Sequence, residues 1–146
     1  MATHLTRDKR EVEAAVRGYF EAGKNKDLAA LAGFHAPEDF TKFDENPPYT
    51  RQDSEEAFVY EQAAFASISD YSYSINDLRV DFLGEAAVAT FYLTYSGMVV
   101  NDYSFEGSAL SGKARVTMVL TLTEKGWKIA HEHLSSFPDW VAPKKK

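Results

Sequence analysis

Apolar residues in the first half of the chain recur at a spacing typical of α-helices. Near the N-terminus they fall at positions i, i+3, i+4, i+7 and i+8, and so form one stripe along a helix. The stripe consists of Val12, Ala15, Val16, Tyr19 and Phe20. Thr6 can cap the start of this helix and Gly23 its end. Residues 27–33 predict a short second helix, and Asp53 with Glu56 has the spacing of a capping box that begins a third.

The spacing changes in the second half of the chain, where apolar and polar residues alternate as they do in β-strands. A short strand is also predicted earlier, at residues 40–43, and a loop rich in Gly, Ser and Asn at residues 101–112. The alternation predicts four long strands, at residues 71–84, 85–100, 113–123 and 127–136. Three helices followed by four antiparallel strands predict one α+β domain over residues 1–146. Its helices should pack on one face of a strongly bent sheet.

The last predicted strand, WKIAHEHLSS at residues 127–136, carries two histidines two residues apart. Because side chains of a regular strand alternate between faces, His131, His133 and Ser135 would share a face with the apolar residues that begin the strand. Three interpretations of this face are open. It is an ordinary core with hydrogen-bonded histidines, a metal site, or a pocket that is apolar at its floor and polar toward its mouth.

A metal site is the weakest of these interpretations. Two histidines on one strand can bind zinc, but a catalytic zinc site needs a third protein ligand. The chain has no cysteine, and its other histidines, His4 and His35, lie in unrelated segments. We therefore expect no metal at His131 and His133.

The pairing of the last two strands decides which residues accompany the histidines. A three-residue turn between these strands places Thr117 opposite His133 and Arg115 opposite Ser135. Arg115, Thr117 and Ser135 thus become candidate ligand-binding residues. An inward-facing arginine needs an acidic partner or an anionic ligand, because a buried unpaired charge is costly. Tyr92 is a further candidate, as an aromatic residue of the pocket wall.

The opposite face of the same strand pair is also largely apolar. It would carry Met118 and Leu120, with Glu132 as the exception. An antiparallel sheet that faces solvent seldom shows two apolar faces. We therefore predict that the outer face, carrying Met118 and Leu120, is covered by a second copy of the chain in a homodimer.

The charge and composition of the chain exclude several classes of partner. Its 146 residues contain 22 acidic and 16 basic side chains, a net charge of −6. Affinity for nucleic acid depends largely on basic contacts to phosphate, so a nucleic-acid partner is not expected. The chain has no apolar stretch of the roughly 20 residues that span a membrane, and it has charges where a signal peptide would have its apolar core. We therefore expect a cytoplasmic protein without a membrane partner.

The order of elements and two short stretches resemble a known family. A helix, a short helix, a strand, a helix and four strands resemble the nuclear transport factor 2-like superfamily over about residues 6–138. The stretches RVT (115–117) and WKIAHEHLS (127–135) are most similar to its SnoaL-like branch. The last strand is also similar to that of the association domain of calcium/calmodulin-dependent protein kinase.

The resemblance implies a fold and a range of activities. The fold is a cone-shaped α+β barrel, with a pocket between the bent sheet and the helices, and its members often dimerise. Known members include ketosteroid isomerase, polyketide cyclases, dehydratases, epoxide hydrolases and domains without catalysis. The resemblance therefore implies the fold more directly than the chemistry.

The resemblance also suggests catalytic residues. Ketosteroid isomerase uses a tyrosine late in its first helix and an aspartate soon after its first strand, which correspond to Tyr19 and Asp44. It also needs a protonated acid on the strand before the last hairpin turn, and residues 115–121 contain no carboxylate. Steroid isomerisation in that form is therefore not expected. Polyketide cyclases pair an aspartate with a histidine, and Asp44 with His131 or His133 could supply that pair.

Two functions of different classes follow. In the first, the chain is an isomerase, cyclase or dehydratase without a cofactor that transfers protons on a small apolar carbonyl or cyclic substrate. Asp44 or His133 would be the base, and Tyr19 and Arg115 would stabilise negative charge on oxygen. In the second, the chain is a non-catalytic ligand-binding or association domain, whose pocket is vestigial or holds an anion at Arg115.

Overall fold

The computed structural model describes residues 8–100 and 107–136. Within these ranges it has three helices and one six-stranded sheet, which confirms the predicted α+β class. The single domain over residues 1–146 and the cone shape stay predictions. The helices are α1 (Lys9–Lys24), α2 (Leu28–Ala32) and α3 (Ser54–Ser67). The strands are β1 (Thr41–Phe43), β2 (Gln52–Asp53), β3 (Ile68–Leu83), β4 (Ala86–Val100), β5 (Gly107–Thr123) and β6 (Gly126–Ser136).

The sheet has the strand order β2-β1-β6-β5-β4-β3. Its neighbouring strands are antiparallel except β1 and β6, which run parallel. The short strand predicted at residues 40–43 is therefore present as β1, and its position beside the last strand has a chemical consequence. Lys42 of β1 is the register partner of Glu132 of β6, so the two side chains lie on the same face of the sheet.

The predicted first helix is present, with different ends. Asp8 caps its start, accepting a 2.9 Å hydrogen bond from the backbone N–H of Arg10, while the predicted cap Thr6 lies outside the described residues. Gly23 does not end the helix but lies within it. A Cβ added to Gly23 would be 2.4 Å from the ring of Phe65, so this glycine allows α1 to approach α3 closely. The predicted stripe packs into the core, with Val12 fully buried.

The capping box predicted for the third helix is confirmed. The Asp53 carboxylate accepts from the Glu56 backbone N–H at 2.9 Å, and the Glu56 carboxylate accepts from the Asp53 N–H at 3.0 Å. Three buried residues four positions apart, Ala57, Glu61 and Phe65, form the inward stripe of α3. A carboxylate thus sits in the middle of an otherwise apolar helix face.

The loop predicted at residues 101–112 is wrong for its second half. Residues 107–112 belong to β5 and pair with β4, and residues 101–106 lie outside the described residues. The glycine that suggested a loop has a packing role. Gly112 lies opposite Tyr95, and a Cβ at this position would be 2.4 Å from the Tyr95 ring. The absence of a side chain at Gly112 therefore makes room for that ring.

The predicted register of the last hairpin is wrong next to the turn and correct beyond it. The turn has two residues, so Thr123 pairs with Gly126 and Leu120 with Ile129. Ala130 is then an extra, unpaired residue, because the next pair is Val119 with His131. This β-bulge restores the predicted pairs of Thr117 with His133 and Arg115 with Ser135, but it interrupts the alternation of faces along β6.

The bulge overturns the prediction that His131, His133 and Ser135 share a face with the apolar residues that begin the strand. Ile129 before the bulge and Glu132 after it both point into the core and are fully buried, whereas His133 is exposed. The prediction that Met118 and Leu120 form an outer, dimerising face is also wrong. Both side chains are fully buried in the core against the helices. Strict alternation fails here because one additional residue exchanges the two faces of a strand.

None of the helices in the described ranges has both the length and the apolar character needed to cross a lipid bilayer.

Candidate functional site

A cavity of about 190 Å³ lies between the helices and the inner face of the sheet. Tyr19 of α1, Glu61 of α3, Lys42 of β1 and Glu132 of β6 all line it. The remaining lining residues that the structure describes are Phe20, Asp44, Glu45, Asn46, Tyr60, Ala64, Phe65, Ile68, Tyr71, Leu93, Tyr95, Leu110 and Leu134. The cavity therefore combines aromatic and aliphatic walls with a group of ionisable side chains.

A buried lysine joins two carboxylates at this cavity. Lys42 Nζ donates a 2.9 Å hydrogen bond to Glu61 Oε2 and lies 3.6 Å from Glu132 Oε1. Less than a tenth of each of the three side chains is exposed. Burial alone would lower the pKa of Lys42, but the negative charges of Glu132 and Glu61 outweigh burial and raise that pKa. The amine is therefore a permanent positive charge in the site.

Glu61 is held in its ionised form from two sides. Burial would raise the pKa of Glu61, but Lys42 and then His35 hold it below its usual value. His35 Nε2 lies 3.2 Å from Glu61 Oε1, although the two atoms are not aligned as a hydrogen bond. The imidazole of His35 stacks on Phe40 with 3.9 Å between ring centroids. His35 thus supports the ion pair from the side away from Lys42.

Glu132 is the least satisfied group of the site. Its side chain is fully buried, and neither carboxylate oxygen accepts a hydrogen bond from any described residue. Burial raises the pKa of Glu132 to about 7, although the charge of Lys42 acts in the opposite direction. A carboxyl group with this pKa exists in both protonation states near neutral pH, which is the property required of a general acid and base.

Tyr19 and Asp44, both predicted as catalytic residues, line this cavity. Burial, followed by the negative charges of Glu132 and Glu61, raises the pKa of Tyr19 well above its usual value. The Tyr19 hydroxyl therefore keeps its proton and can donate it in a hydrogen bond. The expected pairing of Asp44 with an imidazole of β6 does not arise in the cavity, because His131 and His133 are not among its described lining residues.

Glu45 adds another carboxyl group to the cavity lining. Its Oε2 accepts a 3.0 Å hydrogen bond from the Tyr95 hydroxyl. Burial raises the pKa of Glu45 despite this hydrogen bond. Since Gly112 makes room for the Tyr95 ring, the glycine of β5 indirectly positions Glu45.

The other predicted site residues lie on the outer face of the sheet, and not in this cavity. They are His131, His133, Arg115, Thr117, Tyr92 and Ser135. Thr41 Oγ1 and His131 Nδ1 form a 2.8 Å hydrogen bond, and Phe43 packs against the rings of both histidines. Partial burial, followed by the neighbouring His133, lowers the pKa of His131.

Arg115 is exposed and borders a shallow groove of the outer face. Tyr92, Thr117 and Arg79 line the same groove. The structure thus keeps the predicted neighbours Arg115 and Thr117 together but separates them from Tyr19 and Asp44 by the thickness of the sheet.

Sequence reasoning missed Lys42, Glu61, His35 and Glu132 as site residues. One signal was available for Glu132, which interrupts an apolar strand face, and another for Glu61, which falls four residues after Ala57 on an apolar helix face. A carboxylate in such a place is either paired or functional. Lys42 had no comparable signal, because its burial depends on the parallel pairing of β1 with β6.

A protein-family model matches most of the chain. The model of the SnoaL-like domain matches residues 12–139 of the chain. No curated protein matches the chain in sequence.

Solved structures with the same fold have different assigned roles. A candidate dehydratase of the NTF2-like family from Streptomyces avermitilis is 19% identical, with a TM-score of 0.74 over 88% of this chain and 95% of that one. A candidate calcium/calmodulin-dependent protein kinase II association domain from Xanthomonas campestris is 20% identical, with a TM-score of 0.72 over 92% and 91%. A candidate aromatic ring hydroxylase from Novosphingobium aromaticivorans is 20% identical, with a TM-score of 0.75 over 90% of each chain. At these identities the similarity concerns the fold.

Proposed function

This chain belongs to the SnoaL-like domain family, and we propose that it is a cofactor-free enzyme of isomerase, cyclase or dehydratase type. Its substrate is a small, largely apolar carbonyl or cyclic compound, on which it acts by proton transfer. The cavity between helices and sheet is the active site. The predicted roles of Tyr19 and Asp44 are retained, whereas Glu132 replaces the histidines of β6 as the principal acid–base group.

The observation that carries this proposal is the state of Glu132. The carboxyl group lines the cavity, is fully buried and has no hydrogen-bond partner among the described residues. Its raised pKa of about 7 allows it to accept a proton and return it at the same pH. A buried polar group without a partner is costly to maintain, and perturbed carboxyl groups in cavities are typical of active sites.

The neighbours of Glu132 have complementary roles in a proton transfer. The Glu132 carboxylate removes a proton from the carbon next to the substrate carbonyl. The electron pair of that C–H bond forms a C=C bond, and the π pair of the carbonyl moves onto its oxygen as an enolate. Tyr19, which keeps its proton, donates a hydrogen bond to this oxygen. In a β,γ-unsaturated ketone the enolate extends over the C=C bond, so Glu132 can return the proton to the γ-carbon, and the shift of the double bond completes an isomerisation. Lys42 restrains the pKa of Glu132 from rising further, and Asp44 is a second acid–base candidate.

The proposal can be tested without knowledge of the natural substrate. Wild-type protein is incubated with small cyclic ketones in D2O, and deuterium incorporation next to the carbonyl is followed by NMR, with ketone binding measured on the same samples. Exchange should be faster than in buffer, and Glu132→Gln should lower it by about 10²-fold, the lower end of what a positioned acid–base group contributes.

Two variants make this experiment specific. His133→Gln changes an exposed imidazole of the outer face and should leave the exchange rate unchanged. Ala64→Trp places an indole at the exposed edge of the cavity lining and should lower both binding and exchange. If cyclic ketones bind but no deuterium is incorporated, the chain is not a proton-transfer enzyme of this kind.

A second candidate function is association, with or without a bound ligand. The solved structure from Xanthomonas campestris is described as an association domain, and the outer sheet face of this chain carries partly exposed apolar and aromatic residues. Tyr92 is 47% exposed, and Val119 and Phe43 are partly exposed on the same face. We propose a homodimer through this face, in place of the one predicted through Met118 and Leu120.

The homodimer predicts a mass of two chains at micromolar concentration in size-exclusion chromatography with light scattering. Val119→Glu should convert this mass to that of one chain, because it places a charge in the middle of the proposed interface. Val59→Glu is the matched control. Val59 is 59% exposed on α3, away from that face, and its change should leave the mass at two chains. A wild-type protein with the mass of one chain would exclude the dimer.

A further inference from the structure

The charges that line the cavity are unequal in number. Among the described lining residues, the carboxyl groups are Asp44, Glu45, Glu61 and Glu132, and the one cationic side chain is Lys42. Lys42 is already engaged by Glu61 through a 2.9 Å hydrogen bond. Three carboxyl groups therefore remain without a full counter-charge in a cavity that is partly removed from solvent.

Because of this excess of carboxyl groups, Glu132 needs a hydrogen-bond donor or a cation from a bound ligand. Its side chain is fully buried, both oxygens lack a hydrogen-bond donor, and Lys42 Nζ at 3.6 Å is beyond good hydrogen-bond length. An ionised carboxylate is stable in such a place only if a donor or a cation completes its shell. Since Glu132 lines the cavity, a molecule in the cavity can supply that group.

Aromatic rings supply the rest of the surroundings that an organic cation requires. Tyr19, Phe65, Tyr71 and Tyr95 all line the cavity. Tyr19 and Phe65 lie 6.5 Å apart and Phe65 and Tyr71 5.3 Å apart, both with edge-to-face geometry. The faces of aromatic rings attract ammonium groups, and aromatic cages are a known means of recognising organic ammonium ligands.

We infer that the cavity takes a small organic cation, namely a protonated primary or secondary amine carried on a compact apolar ring. An anionic ligand such as a carboxylic acid would meet three carboxyl groups without a full counter-charge. A metal ion is a poor alternative, because the described residues contain no group of three or more His, Asp or Glu side chains arranged to hold one. The volume of about 190 Å³ equals that of about six water molecules at about 30 Å³ each, which limits the ligand to about the size of one substituted ring.

This inference rests on the proposed function, since it names the substrate class of the same cavity. A cationic substrate would also compensate for the protonated acid that ketosteroid isomerase carries on the strand before the last hairpin turn, and that residues 115–121 of this chain lack. A positive nitrogen close to the reacting carbon stabilises the negative charge that develops when a base removes a proton. A cationic substrate would thus bring with it part of the stabilisation that the chain lacks.

The test compares three compounds that share one ring and differ in charge: benzylamine, benzyl alcohol and benzoate. Binding to wild-type protein is measured by titration calorimetry at low salt and about pH 8, where Glu132 is largely ionised. Benzylamine should bind at least about tenfold more tightly than benzyl alcohol, a difference of one decade in Kd, and benzoate should not bind.

Variants locate the effect at the carboxylates. Glu132→Gln and Glu45→Gln should each lower the affinity for benzylamine and leave that for benzyl alcohol unchanged. The matched control Glu38→Gln, at an exposed position outside the cavity lining, should bind like the wild type. Two carboxylate variants are used so that one of them can be measured if the other does not fold.

The outcomes separate this inference from the proposed function. If benzyl alcohol or benzoate binds as tightly as benzylamine, or if none of the three binds, the cation preference is wrong even where ketones are deuterated. If benzylamine is preferred but neither a ketone nor an amine exchanges a carbon-bound proton for deuterium, the cation site stands and the proton-transfer function fails.

Discussion

Lys42→Met should lower the free energy of unfolding by about 3–5 kcal/mol, the usual cost of removing one partner from a buried ion pair. Lys42 is the cation shared by Glu61 and Glu132, and all three side chains are almost fully buried. Without it, two carboxyl groups remain in the core without a positive charge between them. Urea unfolding of wild type and variant near neutral pH measures the difference.

A matched control and a double variant sharpen this test. Lys125→Met removes a lysine from the exposed turn between β5 and β6 and should change stability by less than about 0.5 kcal/mol. Lys42→Met combined with Glu61→Met should be more stable than Lys42→Met alone, because an apolar pair replaces an uncompensated charge. A loss below about 1 kcal/mol for Lys42→Met would mean that the ion pair lies in solvent.

The free energy of unfolding of the wild type should fall as the pH rises from about 4.5 to about 7, and Glu132→Gln should abolish this fall. The pKa of Glu132 is raised from 4.5 to about 7 in the folded protein, mainly by burial. In this range the folded protein keeps a proton that the unfolded chain releases, so the stability of the wild type falls as the pH rises. The interval between the two values corresponds to about 3 kcal/mol.

The difference in unfolding free energy between Glu132→Gln and the wild type separates the contribution of Glu132 from those of other titrating groups. The Glu132 contribution is fully present below about pH 4.5 and lost above about pH 7. The lowered pKa values of Glu61 and His131 act in the opposite sense, since they make the fold more stable as the pH rises, but both proteins contain these groups. The stability of Glu132→Gln minus that of the wild type should therefore rise by about 3 kcal/mol from about pH 4 to about pH 8.

Urea unfolding at a series of pH values measures this difference. The exposed control Glu85→Gln, in the turn between β3 and β4, should follow the wild type. If the stability of Glu132→Gln differs from that of the wild type by the same amount at every pH, Glu132 titrates as an ordinary exposed glutamate and its role as acid–base group is excluded.

The helices and the fold class could be predicted because their signals are local. The stripe that contains Val12 and Val16 needs only the period of one helix, and the capping box of Asp53 and Glu56 needs only four consecutive residues. Tyr19 and Asp44 could be assigned to the cavity from the family resemblance, which fixes the order of elements.

The ionic site could not be predicted because it depends on contacts between distant segments. Lys42 reaches Glu132 only through a three-residue strand that pairs in parallel with the last strand of the sheet, 90 positions away. Glu61 joins them from a helix. The composition of residues 107–112 indicated a loop, but backbone pairing with β4 prevails over composition because Gly112 accommodates the ring of Tyr95.

The unpaired Ala130 also affects how the roles of residues can be assigned by aligning this chain with its relatives. Aligning β6 with a strand that lacks this extra residue requires a gap of one position. Without the gap, each column after Ala130 would equate an inward side chain of one protein with an outward side chain of the other. Glu132 would then be matched to a surface residue and His133 to a residue of the active site, and catalytic roles would be copied to the wrong side of the molecule.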